Sequence, residues 1–314
     1  MTMQGQLKIF VLRPGEGWIV DTIGEDFIDH TGMRVVDRPE DSDIIWLLGS
    51  WCWDRIDVDL LKQKIVVCSV HHIVPEKFDQ LQFMFRDKFV DAYFVYTSET
   101  ADIIRRVSRK PIARVAHWVD SNKWFPVSKQ EARDRLGLSA DDLIIGSFQR
   151  DTEGRDLISP KLEKGPDIFC DVVARINQTA PVRVLLGGWR REYVISRLSA
   201  AGVKYTFMQL PPQETVRDMY AACDYYLCTA RYEGGPQCIL EASAMRVPIV
   251  STPVGIARDV LHNTQIIDPK TWMPSPVSEE ALDYSHKSAQ LRDPKKLIIS
   301  YDSTFEKVYE ITVK

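Results

Sequence analysis

Short apolar runs alternate along the chain with longer segments whose apolar residues recur at helical spacing. The runs have the length of buried strands, and glycine-containing or polar turns separate several of them from the helical segments. Strands that alternate with helices predict parallel sheets covered by helices, which is the α/β class. The predicted strands are residues 8–12, 33–36, 44–48, 64–70, 91–96, 112–116, 143–148, 182–186, 203–208, 225–229 and 248–251, and predicted helices include residues 19–30, 212–222, 279–291 and 294–308.

The composition is that of an ordinary globular protein, with 45% hydrophobic and 27% charged residues and a net charge of −4. This charge does not favour nucleic acid as a partner. The six cysteines are scattered without a C-x-x-C pair, which fits a reducing compartment. The start of the chain has no cleavable signal pattern, and no apolar run approaches the length that spans a bilayer. We therefore expect a cytoplasmic protein, with peripheral attachment to a membrane surface left open.

A strand, a polar loop, a helix and a second strand follow one another between residues 225 and 254. Pro236 is expected as the first helical residue, where its missing N–H costs nothing. Ile239, Leu240 and Ala244 give the helix an apolar stripe. The segment is thus one βαβ unit of a parallel sheet.

The loop before this helix suits phosphate or the hydroxyls of a sugar. The N–H groups of Gly234, Gly235 and the first helical turn point out of the helix start, where the helix dipole adds partial positive charge. Glu233 precedes the helix and Glu241 follows eight positions later inside it, so two carboxylates can flank one ligand. An ordinary βαβ unit with surface glutamates has the same pattern, so the motif alone does not establish a site.

This segment resembles the E-x7-E signature of the family 4 retaining glycosyltransferases. That family has the GT-B fold, in which two Rossmann-like α/β domains face each other across a cleft, and the resemblance implies the same fold here. Two positions depart from the family pattern: Arg246 replaces a helix-ending glycine, and Arg258 replaces a glutamate. The matching residues are Glu233-Gly-Gly-Pro-x4-Glu241-Ala, Val247-Pro-Ile-Val and Thr252-Pro-Val-Gly255.

The resemblance assigns the donor diphosphate to Arg150 and Lys164. The family places an arginine soon after the first strand of its second domain and a lysine before the next helix. Two fixed cations offset the charge that grows on the leaving nucleotide diphosphate. The segment between them is longer here than is usual in the family, so Arg155 or Lys161 remains an alternative partner.

In the first domain, the resemblance assigns His71 to the donor sugar, with His72 as its neighbour. Family members often have a histidine at the end of this strand, where it can bond a sugar hydroxyl or stabilise charge as the leaving group departs. Gly15 and Gly17 occupy the place of a glycine-rich loop that closes on the donor phosphate and the acceptor. A capping histidine and an ordinary glycine turn are the alternatives.

The expected domain boundaries follow from the same resemblance. The segment from His117 to Pro126 resembles the turn that ends the family's first domain. We expect an acceptor-side domain over residues 1–126, a linker over 127–142, a donor domain over 143–295, and a C-terminal helix over 296–314 that crosses back to the first domain.

The resemblance implies a retaining, hexosyltransferase-like enzyme that moves a sugar from a nucleotide diphosphate sugar to an acceptor hydroxyl. Glu241 would hold the ribose hydroxyls, whereas Glu233 and the loop of Gly234, Gly235 and Pro236 would hold the sugar. The candidate catalytic residues are His71, Arg150, Lys164 and Glu233.

No metal or other cofactor is expected. The D-x-D letters at residues 41–43 and 57–59 lie before a strand and inside a helix, whereas a metal-binding D-x-D follows a strand. The acceptor could be a saccharide, a lipid-linked molecule or a small molecule. The short first domain suggests either an open cleft or a protein partner that completes the acceptor site. Two alternatives remain: a catalytically silent sugar-nucleotide binding subunit and a GT-B sugar-nucleotide epimerase.

Overall fold

Two compact units divide the chain. The computed structural model describes residues 6–17, 19–154 and 156–313. Unit 1 comprises Met1–Trp118 and Arg292–Lys314, and unit 2 comprises Val119–Leu291. The first boundary lies eight residues before the expected one, because Trp118 belongs to the core of unit 1, where its indole N–H donates to Asp26 Oδ2 at 2.9 Å.

Each unit is built around a parallel sheet, and each of the eleven predicted strands is present in the described residues. The strand order is β2-β1-β3-β4-β5-β6 in unit 1 and β11-β10-β7-β8-β9 in unit 2. This confirms the predicted α/β class. The strands are β1 (Lys8–Leu12), β2 (Arg34–Val35), β3 (Ile44–Leu47), β4 (Ile65–Val70), β5 (Ala92–Val95), β6 (Ile112–Arg114), β7 (Leu143–Ser147), β8 (Val182–Gly188), β9 (Lys204–Gln209), β10 (Tyr225–Cys228) and β11 (Ile249–Ser251).

Helices connect the strands. Of the helices that the structure describes, none has the length and apolar character needed to cross a bilayer. The helices are α1 (Ile19–His30), α2 (Val58–Gln63), α3 (Gln80–Asp87), α4 (Ser98–Arg105), α5 (Lys129–Leu136), α6 (Pro166–Asn177), α7 (Glu192–Ala200), α8 (Gln213–Ala222), α9 (Gln237–Ala244), α10 (Ala257–Val260), α11 (Glu279–Gln290) and α12 (Pro294–Val313), with single 3-10 turns at Pro39–Asp41, Trp53–Arg55, Pro75–Lys77, Leu162–Lys164 and Asn263–Gln265.

The C-terminal helix α12 is part of the core of unit 1. Its buried residues include Ile298, Tyr301 and Phe305, which share one face at helical spacing. The ring of Phe305 lies 5.3 Å from that of Trp46 on β3. The Tyr301 hydroxyl donates to the carbonyl of Ala116. This packing explains why the end of the chain groups with its beginning.

Residues 127–142, which we expected to form a linker, belong to unit 2. Arg133 on α5 is buried, and its guanidinium donates to the carbonyl of Ala222 at 3.0 Å and to Asp224 at 2.8 Å. Ala132 beside it is also buried. The polar composition suggested a solvated connection, but the charges of α5 are bonded to the end of α8 and the residues after it.

A buried arginine fixes the carboxyl ends of β7 and β8 in unit 2. Arg191 forms an ion pair with Asp151 at 3.0 Å and donates to the carbonyls of Ser147 and Gly187. Burial raises the pKa of Asp151 in spite of this pair. Because the carboxyl ends of parallel strands bear the ligand sites of α/β proteins, this bonding stabilises the edge that carries the candidate site.

Candidate active site

The loop after β10 leads into α9, which begins one residue later than predicted. Pro236 is the N-cap, and Gln237 is the first helical residue. Gly255 lies against this loop with φ of +55°, and a Cβ there would come within 2.7 Å of the Gly234 carbonyl oxygen and 2.9 Å of the Glu233 carbonyl oxygen. Only glycine therefore allows the segment after β11 to support the loop that carries Glu233.

Lys164 and Glu233, which the sequence assigned to the diphosphate and the sugar, form an ion pair through Nζ and Oε1. The Glu233 side chain is 10% exposed and that of Lys164 22%. Burial lowers the pKa of Lys164, but the charge of Glu233 and the hydrogen bond to it outweigh burial, so the pKa lies above its usual value. Lys164 is therefore a fixed cation beside the glycine loop.

A close backbone contact holds this pair in place. Gly165 has φ of +65°, and a Cβ there would lie 1.9 Å from the carbonyl oxygen of Thr229, just after β10. The Thr229 hydroxyl donates to the Gly165 carbonyl at 2.8 Å. Next to this contact, Arg231 forms two hydrogen bonds with the Asp167 carboxylate, at 2.7 and 2.6 Å. The start of α6 and the end of β10 are thus bonded directly to each other.

The long segment between Arg150 and Lys164 folds back on itself. The Lys161 amide donates to the Asp151 carbonyl at 2.8 Å, and Thr152 pairs with Pro160 in an antiparallel bridge. Lys161 therefore lies near Arg150, although eleven positions separate them in the chain. The alternative partner Arg155 lies outside the described residues.

The cations on this folded segment interact with the Lys164–Glu233 pair. Burial lowers the pKa of Lys161, and the positive charges of Lys164 and Arg150 lower it further, whereas Glu163 and Glu233 act in the opposite direction. Arg150 itself donates from Nε to the Thr152 carbonyl and lies over the ring of Trp189. The structure thus brings together Arg150, Lys161 and Lys164, so Lys161 joins the expected pair.

Glu241 lies within α9 and accepts a hydrogen bond from the Tyr220 hydroxyl at 2.8 Å. Burial raises the pKa of Glu241 to about 7, although the bond from Tyr220 acts in the opposite direction. A hydrogen bond with Cys228 and burial raise the pKa of Cys238, and the charges of Glu241 and Glu233 add to that effect. Both motif glutamates therefore lie near Cys238 in the first turn of α9.

Arg246, at the position where the family has a helix-ending glycine, adopts a backbone conformation that is typical of glycine. Arg246 has φ of +57°, the left-handed conformation that favours glycine. Its guanidinium bonds to Glu279 at 2.7 Å and to Asp283, both on α11. These two carboxylates help to hold Arg246 in the left-handed conformation, so this departure from the family pattern leaves the shape of the motif intact.

In unit 1, His71 lies at the carboxyl end of β4. Its Nε2 is 2.9 Å from the Leu48 carbonyl oxygen, and its ring stacks on Tyr96, which stacks in turn on His117 at 3.7 Å. Burial holds the pKa of His117 well below its usual value, with smaller effects of the charges of His71 and Arg292. The sequence singled out His71. Tyr96 was missed because it belongs to no motif, and His117 was noted only as the start of the turn that ends the first domain.

The loop with Gly15 and Gly17, which the resemblance assigned to the donor phosphate, is bonded to a carboxylate of the chain itself. The amides of Gly15, Glu16 and Gly17 all donate to the Asp21 carboxylate of α1, at 2.7, 2.7 and 2.8 Å. Both glycines have φ of +69°, which turns successive N–H groups to one side. The loop thus has an anion-binding shape, but a carboxylate of the same chain fills it.

No group of three His, Cys, Asp or Glu side chains in the described residues is arranged to hold a metal ion. The chemistry assembled in unit 2 consists of cations, two carboxylates and a glycine loop at one sheet edge. The sequence did not reveal three further contributors to this site, because each contacts a residue that is distant in the chain. They are Tyr220, Gly165 and Gly255.

Comparison with known proteins relates parts of this chain to glycosyltransferases. Residues 157–275 match the family described as glycosyl transferases group 1. The lipopolysaccharide core biosynthesis mannosyltransferase LpsB of Rhizobium meliloti is 26% identical over 46% of this chain and 41% of its own length. The alpha-galactosylglucosyldiacylglycerol synthase of Streptococcus pneumoniae is 23% identical over 60% of this chain and 50% of its own length. The matched regions thus span half or less of these relatives.

Solved structures extend the likeness to both units. The Anabaena protein HepE, in complex with UDP and glucose, aligns with 97% of this chain and 99% of its own, with a TM-score of 0.68 and 13% identity. Such a likeness establishes architecture. The chain therefore has the GT-B fold, and residues 157–275 carry the sequence features of the group 1 glycosyltransferases.

Proposed function

We propose that this chain is a retaining, metal-independent glycosyltransferase that moves a sugar from a nucleotide diphosphate sugar to an acceptor hydroxyl. The observation that carries the proposal is the contact of Lys164 with Glu233 beside the loop between β10 and α9. The match of this part of the chain to the group 1 glycosyltransferases supports it.

The site residues take the following roles in this proposal. Arg150, Lys161 and Lys164 bind the donor diphosphate, because three cations supply the charge that a divalent metal would otherwise supply. Glu241 accepts hydrogen bonds from the ribose hydroxyls. Glu233 binds the sugar together with Gly234, Gly235 and Pro236. The role of His71 stays a prediction.

The reaction needs no dedicated protein base. The bond between the anomeric carbon and the diphosphate oxygen breaks, and the acceptor oxygen forms its bond on the same face of the sugar. The acceptor proton passes to the departing diphosphate oxygen. The cations lower the barrier because they stabilise the negative charge that develops on this oxygen.

The structural neighbour HepE, which was solved with UDP and glucose, makes UDP-glucose the first donor to test. The acceptor side is assigned to unit 1. The proposal includes a protein partner that completes the acceptor site and a cytoplasmic location.

Thermal unfolding in the presence of UDP-, GDP-, ADP- and dTDP-sugars tests the proposal. A donor at about a hundred times its Kd stabilises the chain by roughly 2.7 kcal/mol. Glu241→Ala should abolish the stabilisation, whereas Glu280→Ala, an exposed control in the first turn of α11, should retain it. Slow release of free nucleotide diphosphate from the bound donor identifies a transferase. A silent subunit releases none, and an epimerase changes the sugar but leaves it attached.

A further inference from the structure

Arg86 on α3 is a buried cation with no carboxylate partner among the residues that the structure describes. The residue is 8% exposed, its Nη1 donates to the Ser50 carbonyl at 2.9 Å, and its guanidinium lies 4.9 Å from the centre of the Phe83 ring. Within the described residues, its Nε has no hydrogen-bond partner and the side chain forms no ion pair. Burying a charge costs free energy unless an opposite charge compensates it. A bound anion beside Arg86 would supply that compensation.

A pocket of about 220 Å³ adjoins this side chain at the carboxyl end of β4. Arg86, Lys77 and His72 contribute basic groups to its lining. Asp79 is the acidic lining residue, and its carboxylate accepts from the Gln82 amide as the N-cap of α3. Three basic side chains and one carboxylate therefore line the pocket, and the carboxylate already accepts a hydrogen bond within α3.

The chemistry of the pocket fits phosphate. A guanidinium presents a planar fork of donors to oxyanions, and an ammonium adds a compact charge. The volume is below the roughly 300–1,000 Å³ of sites for drug-sized ligands, so it accommodates an anionic group and little more of the molecule that carries it.

We propose that this pocket in unit 1 binds the phosphate group of a phosphorylated acceptor. His72, which follows His71 in the chain, is then an acceptor-binding residue. The role of the bound molecule as acceptor rests on the proposed transferase function, whereas phosphate binding itself does not.

The phosphate can belong to a soluble sugar phosphate or to a lipid headgroup. The same helix exposes Leu81, Met84 and Phe85, of which Leu81 is 82% exposed. Apolar side chains beside a basic pocket are also found on surfaces that contact lipid. The test therefore includes both sources.

Calorimetric titration with inorganic phosphate and with glucose 6-phosphate, at constant ionic strength, measures the soluble source. Arg86→Met should weaken binding at least tenfold, about 1.4 kcal/mol. Lys77→Gln, at an exposed position, should weaken it in the same direction and keeps the test valid if Arg86→Met does not fold. Arg105→Gln, which removes an exposed arginine on α4, is the matched control and should bind as the unaltered chain does.

Sedimentation with phosphatidylcholine vesicles, with and without phosphatidic acid, measures the lipid source. If the protein sediments with the vesicles only when phosphatidic acid and Arg86 are both present, the phosphate belongs to a lipid headgroup. If the protein binds glucose 6-phosphate but not the vesicles, the acceptor is soluble. The cations of unit 2 also attract phosphate, so only the part of the binding that depends on Arg86 or Lys77 counts.

Binding that is unchanged in both variants and in both arms would overturn the proposal. Donor stabilisation of the unaltered chain, measured in parallel, separates the two proposals. If donors stabilise the chain and no Arg86-dependent phosphate binding exists, the pocket assignment fails alone. If phosphate binds through Arg86 and no donor stabilises the chain, the transferase function fails alone.

Discussion

Lys164 and Glu233 are separated by 69 positions in the chain, yet Lys164 Nζ bonds directly to Glu233 Oε1. The bond joins the start of α6 to the loop after β10. A donor diphosphate would compete with Glu233 for this ammonium group. The ion pair is therefore both a structural link and a place where donor binding changes the local charge.

Lys164→Met is expected to lower the free energy of unfolding by about 3 kcal/mol, because the mostly buried Glu233 carboxylate loses a compensating charge. Urea unfolding measures the change. The double variant Lys164→Met with Glu233→Gln should recover most of the stability but bind no donor. Strictly additive effects of the two substitutions would show that the pair is not coupled.

Gly165→Ala is expected to cost at least 3 kcal/mol by a rough estimate, since it combines left-handed strain with overpacking against Thr229. Gly137 is a matched control, with φ of +63° and no heavy atom within 4 Å of a Cβ built there. Gly137→Ala should cost about 1 kcal/mol, from backbone strain alone. Equal unfolding free energies of the two variants would contradict the close approach of α6 and β10.

The raised pKa of Glu241 predicts a pH dependence of stability. Between pH 4.5 and about 7 the unfolded chain releases this proton while the folded chain retains it, so the contribution of Glu241 to stability falls as pH rises. The full shift corresponds to about 3 kcal/mol. Glu241→Gln should therefore gain stability relative to the unaltered chain across this window, as measured by urea unfolding at several pH values.

Tyr220→Phe is the companion variant for this effect. It removes the hydrogen bond that lowers the pKa of Glu241, so the loss of stability should extend to higher pH than in the unaltered chain. A difference between Glu241→Gln and the unaltered chain that does not vary with pH would show that Glu241 ionises normally.

Lys161 is expected to bind the donor diphosphate beside Arg150 and Lys164. Lys161→Met should weaken binding of the nucleoside diphosphate at least tenfold, because a charge-assisted hydrogen bond contributes about 1.5–3 kcal/mol. Binding of the monophosphate should change less. Lys270→Met removes an exposed lysine of the same unit and should alter neither. Equal losses for the two nucleotides would place Lys161 away from the terminal phosphate.

The elements of the fold could be predicted well because buried parallel strands are continuous apolar runs bounded by turns. Helix α3 was not predicted. Its sequence places Phe83 in the core but exposes Leu81, Met84 and Phe85, so no single apolar stripe marks a helical face. The charged residues of α5 looked like part of a solvated linker, but Arg133 is bonded to partners about 90 positions away within unit 2.

Local sequence was enough to place Glu233 and the glycine loop between β10 and α9 and to place Glu241 inside α9. Only eight positions separate the two glutamates, so one loop and one helix determine where both lie in the chain. It could not show that Lys161 returns to Arg150, that Gly165 must lack a side chain, or that Asp21 fills the loop of Gly15. The first two depend on groups that are distant in the chain. The third depends on a loop conformation that the local sequence does not specify. Burial, which raises the pKa of Glu241 and removes Arg86 from water, exists only once each unit has folded.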